Sequence, residues 1–376
     1  MTNHKQKALN ALAKGAGLTV IAALISKAFT YLYRISIARF IGPESYGQLS
    51  IGMMIVGIGG AISVLALNEA LQKYIPEMRV EGNKAKIKGA VIGALQLSVP
   101  VSLLITLIIF YGSEFIAVQV FDNADLIPII KIMSVAPFFS SLTDIFLDTT
   151  IGYNKILYKI ITEKVIQNGT QLLVTVALIL GGLGVTAAAW GWVAGIILSA
   201  ILGFYFMEKK VGPIVTSEKK SIYQRRELLA FSSPLLLSGI IGTVLGWADT
   251  AFLGYYMTDY EVGLYNAALP TAILILLPHQ AIGSLAVSSF SELKERNREK
   301  LQESVSKTTH WAFSLIFPSF LLIALFSEQA LQILFGSEYA QAGTALAILA
   351  TGNLFSASAG KVGDFLKSQG HSKILF

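Results

Sequence analysis

Lys27, Tyr31 and Arg34 recur at i, i+4 and i+7 inside an otherwise apolar stretch. In a helix they share one face of the 3.6-residue period. At 1.5 Å per residue, Lys27 falls near the middle of the stretch and Arg34 about 10 Å further along. If the stretch crosses a bilayer, each cation costs roughly 2.5–3.5 kcal/mol to insert near the centre, which packing alone seldom justifies. The chemistry such a pair offers is capture of an anion in a wet cavity. The competing reading pairs each cation with a carboxylate on a neighbouring helix, and the depth of Lys27 argues against snorkelling.

The remaining candidates are less committed. Arg39, turned about 140° from Arg34 at 3.6 residues per turn, suits an interfacial or loop-bracing role. Lys131, just inside an apolar run, either snorkels or lines an outward-facing mouth. Asp144 and Asp148 share a face at i, i+4, with Asp364 in a comparable place in a later run and Asp249 near the end of another. These acids are either counter-charges that lock one state or protonatable groups that couple movement to an ion gradient. Glu69 reads as interfacial. His279, between Pro278 and Gln280, either meets a substrate or caps the break that the proline makes.

The elements that must position these residues are membrane spans. The chain is 54% hydrophobic and 14% charged, against about 25% charged for a soluble domain. Apolar runs predict ten spans, near residues 16–40, 46–72, 88–111, 126–152, 163–181, 184–207, 228–255, 261–289, 308–327 and 340–366. Of the 29 Lys and Arg, 25 fall in every second gap between these runs, whereas the alternate gaps carry acids or nothing. That alternation predicts a multispan protein of the cell membrane with its N-terminus in the cytoplasm. Only Lys27, Arg34, Arg39 and Lys131 break it.

The net charge of +6 suits loops beside anionic membrane lipids, and no basic motif with interleaved aromatics points to nucleic acid. With no cysteine, thiolate metal sites and Cys nucleophiles are excluded. The basic N-terminus precedes an apolar run with no small-x-small cleavage site, so the run reads as a retained first helix. HExxH, GxSxG and GxxxxGK are absent, and no cofactor or metal is expected. The loops between runs are short, which leaves a membrane-embedded glycan-processing enzyme as a weak alternative.

Pro100, Pro137, Pro234, Pro270, Pro278 and Pro318 lie within runs and should bend them. Gly89-x-x-x-Gly93, Gly191-x-x-x-Gly195 and Gly242-x-x-x-Gly246 should let helices approach closely. The polar stretch 208–226 predicts a cytoplasmic linker, dividing the chain into an N-terminal lobe of six spans (1–207) and a C-terminal lobe (227–376). Ser113-Glu114-Phe115 to Phe121-Asp122 repeats as Ser327-Glu328-Gln329 to Phe335-Gly336 at an offset of 214, and Arg39 to Gly42 repeats as Ala251 to Gly254 at 212. Six spans return the chain to its starting side. The lobes should then be parallel repeats about a pseudo-twofold axis along the membrane normal, with a binding site between them.

Ala38-Arg39-Phe40-Ile41-Gly42-Pro43-Glu44-Ser45-Tyr46-Gly47 resembles the signature between the first two helices of polysaccharide-type flippases. Trp247 to Gly254 followed by Glu261 to Ala268 is similar to the matching pattern in their seventh and eighth helices, and Leu334-Phe335-Gly336-Ser337-Glu338-Tyr339 to the turn before their tenth. The resemblance, to the multidrug/oligosaccharidyl-lipid/polysaccharide exporter superfamily, implies an all-α polytopic fold of two six-helix lobes. It implies translocation of a polyprenyl-diphosphate-linked oligosaccharide from inner to outer leaflet by alternating access, alongside other glycan-assembly proteins. Such proteins have twelve to fourteen helices, so the second lobe is expected to be incomplete here. Drug or toxin efflux shares the architecture but favours an acidic, aromatic cavity over one presenting Lys27 and Arg34.

Overall fold

The computed structural model describes residues 2–218, 220–277 and 298–358, with side chains from residue 25 onward. Between 298 and 312, only Lys307, His310 and Trp311 have described side chains. Most of the described residues are helical, with no strand among them. Thirteen α-helices follow one another: α1 (Thr2–Ser63), α2 (Leu67–Val80), α3 (Lys84–Glu114), α4 (Leu126–Met133), α5 (Ala136–Gly152), α6 (Ile156–Ile160), α7 (Asn168–Leu180), α8 (Gly184–Tyr205), α9 (Arg225–Tyr256), α10 (Asp259–Ile273), α11 (Arg298–Leu325), α12 (Ser327–Phe335) and α13 (Gly343–Ser358). π-helical turns at Phe115–Val120, Ile161–Gln167 and Phe206–Val211 adjoin them.

The helices Ile25–Val80, Lys84–Val120, Leu126–Gly152, Gly184–Val211 and Arg225–Tyr256 are each long and apolar enough to cross a membrane. A sixth candidate is the pair Phe313–Leu325 and Ser327–Phe335, bent by 79°. Large apolar side chains such as Leu104, Tyr111, Leu173, Leu180, Leu237 and Leu245 remain exposed, as an outer surface solvated by lipid requires. By its internal contacts the chain forms two compact units, Met1–Val262 and Gly263–Phe376.

In the first unit α1 is the axle, packing on α3, α4, α5, α7, α8 and α9. It is two predicted spans run together, separated by the non-helical Gly42 (φ 78°) just before Pro43. A positive φ costs glycine nothing, and proline is preorganised for the first turn of the helix that follows. The second predicted span breaks again at Leu65 (φ 54°) and Ala66 (φ 51°), consecutive left-handed residues with neither glycine nor proline between them. Around that break Val64, Leu67, Leu71 and Ile75 join Ile87, Val91, Ile145 and Met207 in the main core. Pro137 stands at the start of α5, after a short interruption that ends α4.

Of the small-residue patterns, Gly191 and Gly195 mark the closest helix approach, that of α8 on α7. A Cβ on Gly195 would lie 2.6 Å from Gln171 Cγ and 2.8 Å from the Gln167 carbonyl, and one on Gly191 would lie 2.9 Å from the Gln171 carbonyl. Gly89 instead receives the backbone of Ile222, whose N–H donates to the Ala85 carbonyl at 3.1 Å. The polar stretch after α8 is thus docked on α3. Glu208 shapes it by accepting from the N–H groups of Ile214 (3.1 Å), Val215 (2.7 Å) and Thr216 (3.3 Å).

The second unit packs α11 against α13 and sets α12 beside the 3-10 turn Ser337–Ala342. The repeat at offset 214 has a backbone counterpart: Asp122 (φ 49°) and Gly336 (φ 120°), which the alignment pairs, are both left-handed. Because backbone atoms face Gly191 and Gly195, a side chain there must push the helices apart. Gly191→Leu and Gly195→Leu should each destabilise the detergent-solubilised protein by about 1–3 kcal/mol, read as earlier thermal or denaturant unfolding.

Candidate functional site

Within the first unit α1, α5, α7, α8 and the turn before α7 enclose a cavity of about 680 Å³. That is within the range of about 300–1,000 Å³ usual for small-molecule sites. Its charged lining comprises Lys27, Lys159 and Lys164 against Asp144 and Glu163, with Trp192 on the α8 wall. Ser26, Thr30, Ser140, Thr143, Gln167 and Asn168 also face it. A pore wall so rich in hydroxyls, amides and charges is wet, unlike the apolar exterior of the same helices.

Most of these groups are already engaged. Asn168 Nδ2 donates to Ser26 Oγ at 3.0 Å and to the carbonyls of Glu163 (3.2 Å) and Lys164 (3.1 Å), tying α7 to α1. Ser199 Oγ donates to Gln167 Oε1 at 3.1 Å. Thr143 and Ser140 donate back to the carbonyls of Phe139 (2.9 Å) and Pro137 (3.2 Å), the local bonding expected of hydroxyls on apolar helices.

Beside the cavity lies a buried charge cluster. Asp148 on α5 has no exposed surface; it accepts from Lys159 Nζ and, at 2.9 Å, from Asn68 Nδ2. Lys159 also pairs with Glu163 at 3.4 Å. Asn68 stands two residues past the left-handed break at Leu65–Ala66. The kink therefore delivers an amide to the carboxylate, so both Asp148 oxygens are satisfied.

The two acids that share a face of α5 have different surroundings. Asp148 is paired, whereas Asp144, one turn earlier, lines the cavity and has no hydrogen bond or ion pair among the described residues. Lys27 is exposed to the same cavity, again without hydrogen bond or ion pair among the described residues. Tyr31, Arg34, Arg39 and Lys131 lie outside this lining. Arg34 Nη1 donates to Tyr46 Oη at 2.6 Å, bracing the two parts of α1 across the Gly42 bend. Arg39 is exposed; Lys131 is also exposed, with its ammonium 6.0 Å from the Phe110 ring centroid. Asp249, half-buried on α9, accepts from the Thr250 N–H at 2.7 Å. His279 and Asp364 lie outside the described residues.

Lys159, Glu163, Lys164, Asn68 and Trp192 are the lining or supporting residues that sequence reasoning passed over. Lys159 and Glu163 carried a signal, since their i, i+4 spacing mirrors that of Asp144 and Asp148 across the Gly152–Lys155 turn.

The sequence profile described as "Polysaccharide biosynthesis protein" matches residues 36–343. The probable low-salt glycan biosynthesis flippase Agl15 of Haloferax volcanii is 30% identical over 175 residues, 46% of this chain. This match spans only 36% of Agl15. Stage V sporulation protein B of Bacillus subtilis is 22% identical over 346 residues, covering 86% of this chain and 67% of that protein. Among solved structures, an inward-facing multidrug resistance MATE family transporter superposes with a TM-score of 0.77 at 14% identity, over 95% of this chain and 85% of that one. The lipid II flippase MurJ gives 0.73 at 14% identity, over 95% and 77%. Their fold is the fold of this chain.

Removing Lys159 would strand the Asp148 carboxylate without its counter-ion. Lys159→Ala should cost about 3–5 kcal/mol of stability. The double variant Lys159→Met with Asp148→Leu should recover most of it in the same unfolding assay.

Proposed function

The chain belongs to the polysaccharide biosynthesis protein family, and we propose that it serves as a flippase for lipid-linked oligosaccharides. The observation that carries this reading is Lys27: a cation on an apolar helix, open to a cavity of about 680 Å³ and without an ion-pair partner among the described residues. An ammonium in that position is costly unless water and an anion visit it. A lipid-linked oligosaccharide presents such an anion, its phosphate, next to a sugar head that cannot enter hydrocarbon.

In this reading Lys27 and Lys164 attract the phosphate, and Lys159 joins them as its hold on Asp148 and Glu163 is contested. Arg34 braces the bend of the first helix; Tyr31, Arg39, Lys131 and His279 serve the substrate path beyond this cavity. Asp144, Asp148, Asp249 and Asp364 gate the transporter or couple it to an ion. The lobes comprise 1–207 and 227–376, joined by the cytoplasmic segment 208–226. The basic ends face the cytoplasmic leaflet of the cell membrane, where anionic lipids attract them. Other glycan-assembly proteins supply and consume the substrate. Names of relatives such as Agl15 support this assignment.

Lys27→Ala should abolish translocation of a lipid-linked oligosaccharide in proteoliposomes while the protein still inserts; wild-type rates in the variant would remove the anion role. Outward movement of a diphosphate is favoured by an inside-negative membrane potential by about 2.3 kcal/mol per charge per 100 mV. Collapsing the potential with the pH gradient clamped should therefore slow translocation, and an unchanged rate would separate transport from charge movement.

A further inference from the structure

Two opposite charges line one cavity and do not pair. Lys27 and Asp144 both face it, yet no ion pair joins them, and among the described residues neither makes a hydrogen bond. Lys159, Glu163 and Asp148 nearby are engaged with one another, and Lys164 is a second lining cation without an ion pair among the described residues. At 4 Å such a pair would gain about 4 kcal/mol at an effective dielectric constant of 20. Helix packing that keeps them apart leaves an anion binder at one place on the wall and a hydrogen-bond acceptor at another.

We propose that this cavity holds the sugar next to the phosphate as well as the phosphate itself, that is, a sugar phosphate recognised from both ends. The proposal rests on the phosphate reading of the cavity given above. An ionised carboxylate accepts only, through two oxygens, which suits adjacent sugar hydroxyls as donors. The hydroxyls of Ser140 and Thr143 spend their hydrogens on backbone carbonyls, so their oxygens face the cavity as further acceptors. Ser26 is the opposite case: its oxygen accepts from Asn168, leaving its hydrogen to donate. Trp192, half-buried in the same lining, supplies an aromatic surface whose electron-rich face attracts the C–H side of a sugar ring. A drug-like cation would satisfy Asp144 and Trp192 but meet repulsion from Lys27 and Lys164, since Lys159 is paired with acids.

The test is equilibrium binding to the purified full chain, with inorganic phosphate and a panel of hexose 1-phosphates (glucose, galactose and N-acetylglucosamine) as probes. At least one hexose 1-phosphate should bind tenfold or more tightly than phosphate. Asp144→Asn and Trp192→Leu should each bring that sugar phosphate to within about threefold of phosphate; Trp192→Leu should leave phosphate affinity itself unchanged, whereas Asp144→Asn, which removes a negative charge from the lining, should raise it. Trp192→Phe should restore most of the difference, which a general loss of folding would not allow. Lys27→Ala should weaken both probes. If phosphate binds and no sugar phosphate binds more tightly, the sugar subsite is wrong and the phosphate reading stands. If neither probe binds, both readings fall together.

Discussion

A carboxylate taken fully out of solvent must be neutralised on every open lone pair, and the first unit is arranged around one such group. Asp148 is completely buried and is held by Lys159 from α6 and Asn68 from α2. Neither partner is adjacent in sequence. The chain reaches Lys159 by reversing at Gly152–Lys155, and reaches Asn68 by breaking the second span just upstream. That break runs through Leu65 and Ala66, both left-handed, at a cost of order 1–3 kcal/mol for each residue. Such a backbone persists because the core packing of Val64, Leu67 and Leu71 and the Asn68 bond over-determine it.

The same requirement gives two positions on one face of α5 different surroundings. Asp148 faces α2 and α6 and is neutralised; Asp144, one turn away, faces the cavity. The nearby hydroxyls and amides serve the scaffold, with Asn168 bridging α1 and α7. Gly191 and Gly195 bring α8 close enough for its neighbour Trp192 to complete the wall. Small residues, buried charge and cavity shape are thus one design: without the close α7–α8 approach, the amides of Gln167 and Asn168 could not meet both α1 and α8.

The all-helical membrane fold was legible in the sequence, because apolar runs must be about as long as the bilayer is thick, but among the described residues five helices, or six with the bent pair, meet that length where ten runs were expected. The close approach at Gly191 and Gly195 was legible for a similar reason, since only the absence of a side chain permits it. Lys27 stood out as a charge where none is cheap. What could not be read is set by three-dimensional return. Lys159 and Lys164 look like loop cations in the basic gap that follows Gly152, yet α6 turns back and carries Lys159 to Asp148. The Leu65–Ala66 break has no glycine or proline to announce it, because tertiary packing and not local preference imposes it. Arg34 and Lys27 share a helical face by spacing, yet Tyr46, brought near by the Gly42 bend, engages Arg34, while Lys27 faces the cavity.

The balance of charge in the cavity bears on release as well as capture. Three lysines with no acids would hold a diphosphate too firmly for a carrier, since transport needs binding strong enough to enter and weak enough to leave. Glu163 and Asp148 already occupy Lys159, so under the proposed function a phosphate would gain the full attraction of Lys27 but compete for Lys159. On release Lys159 would have its carboxylates to return to, so the buried Asp148 keeps its counter-ion in the empty cavity. The ion-pair cluster thereby lowers the affinity of the loaded cavity and stabilises the empty one, and both effects favour turnover over tight binding.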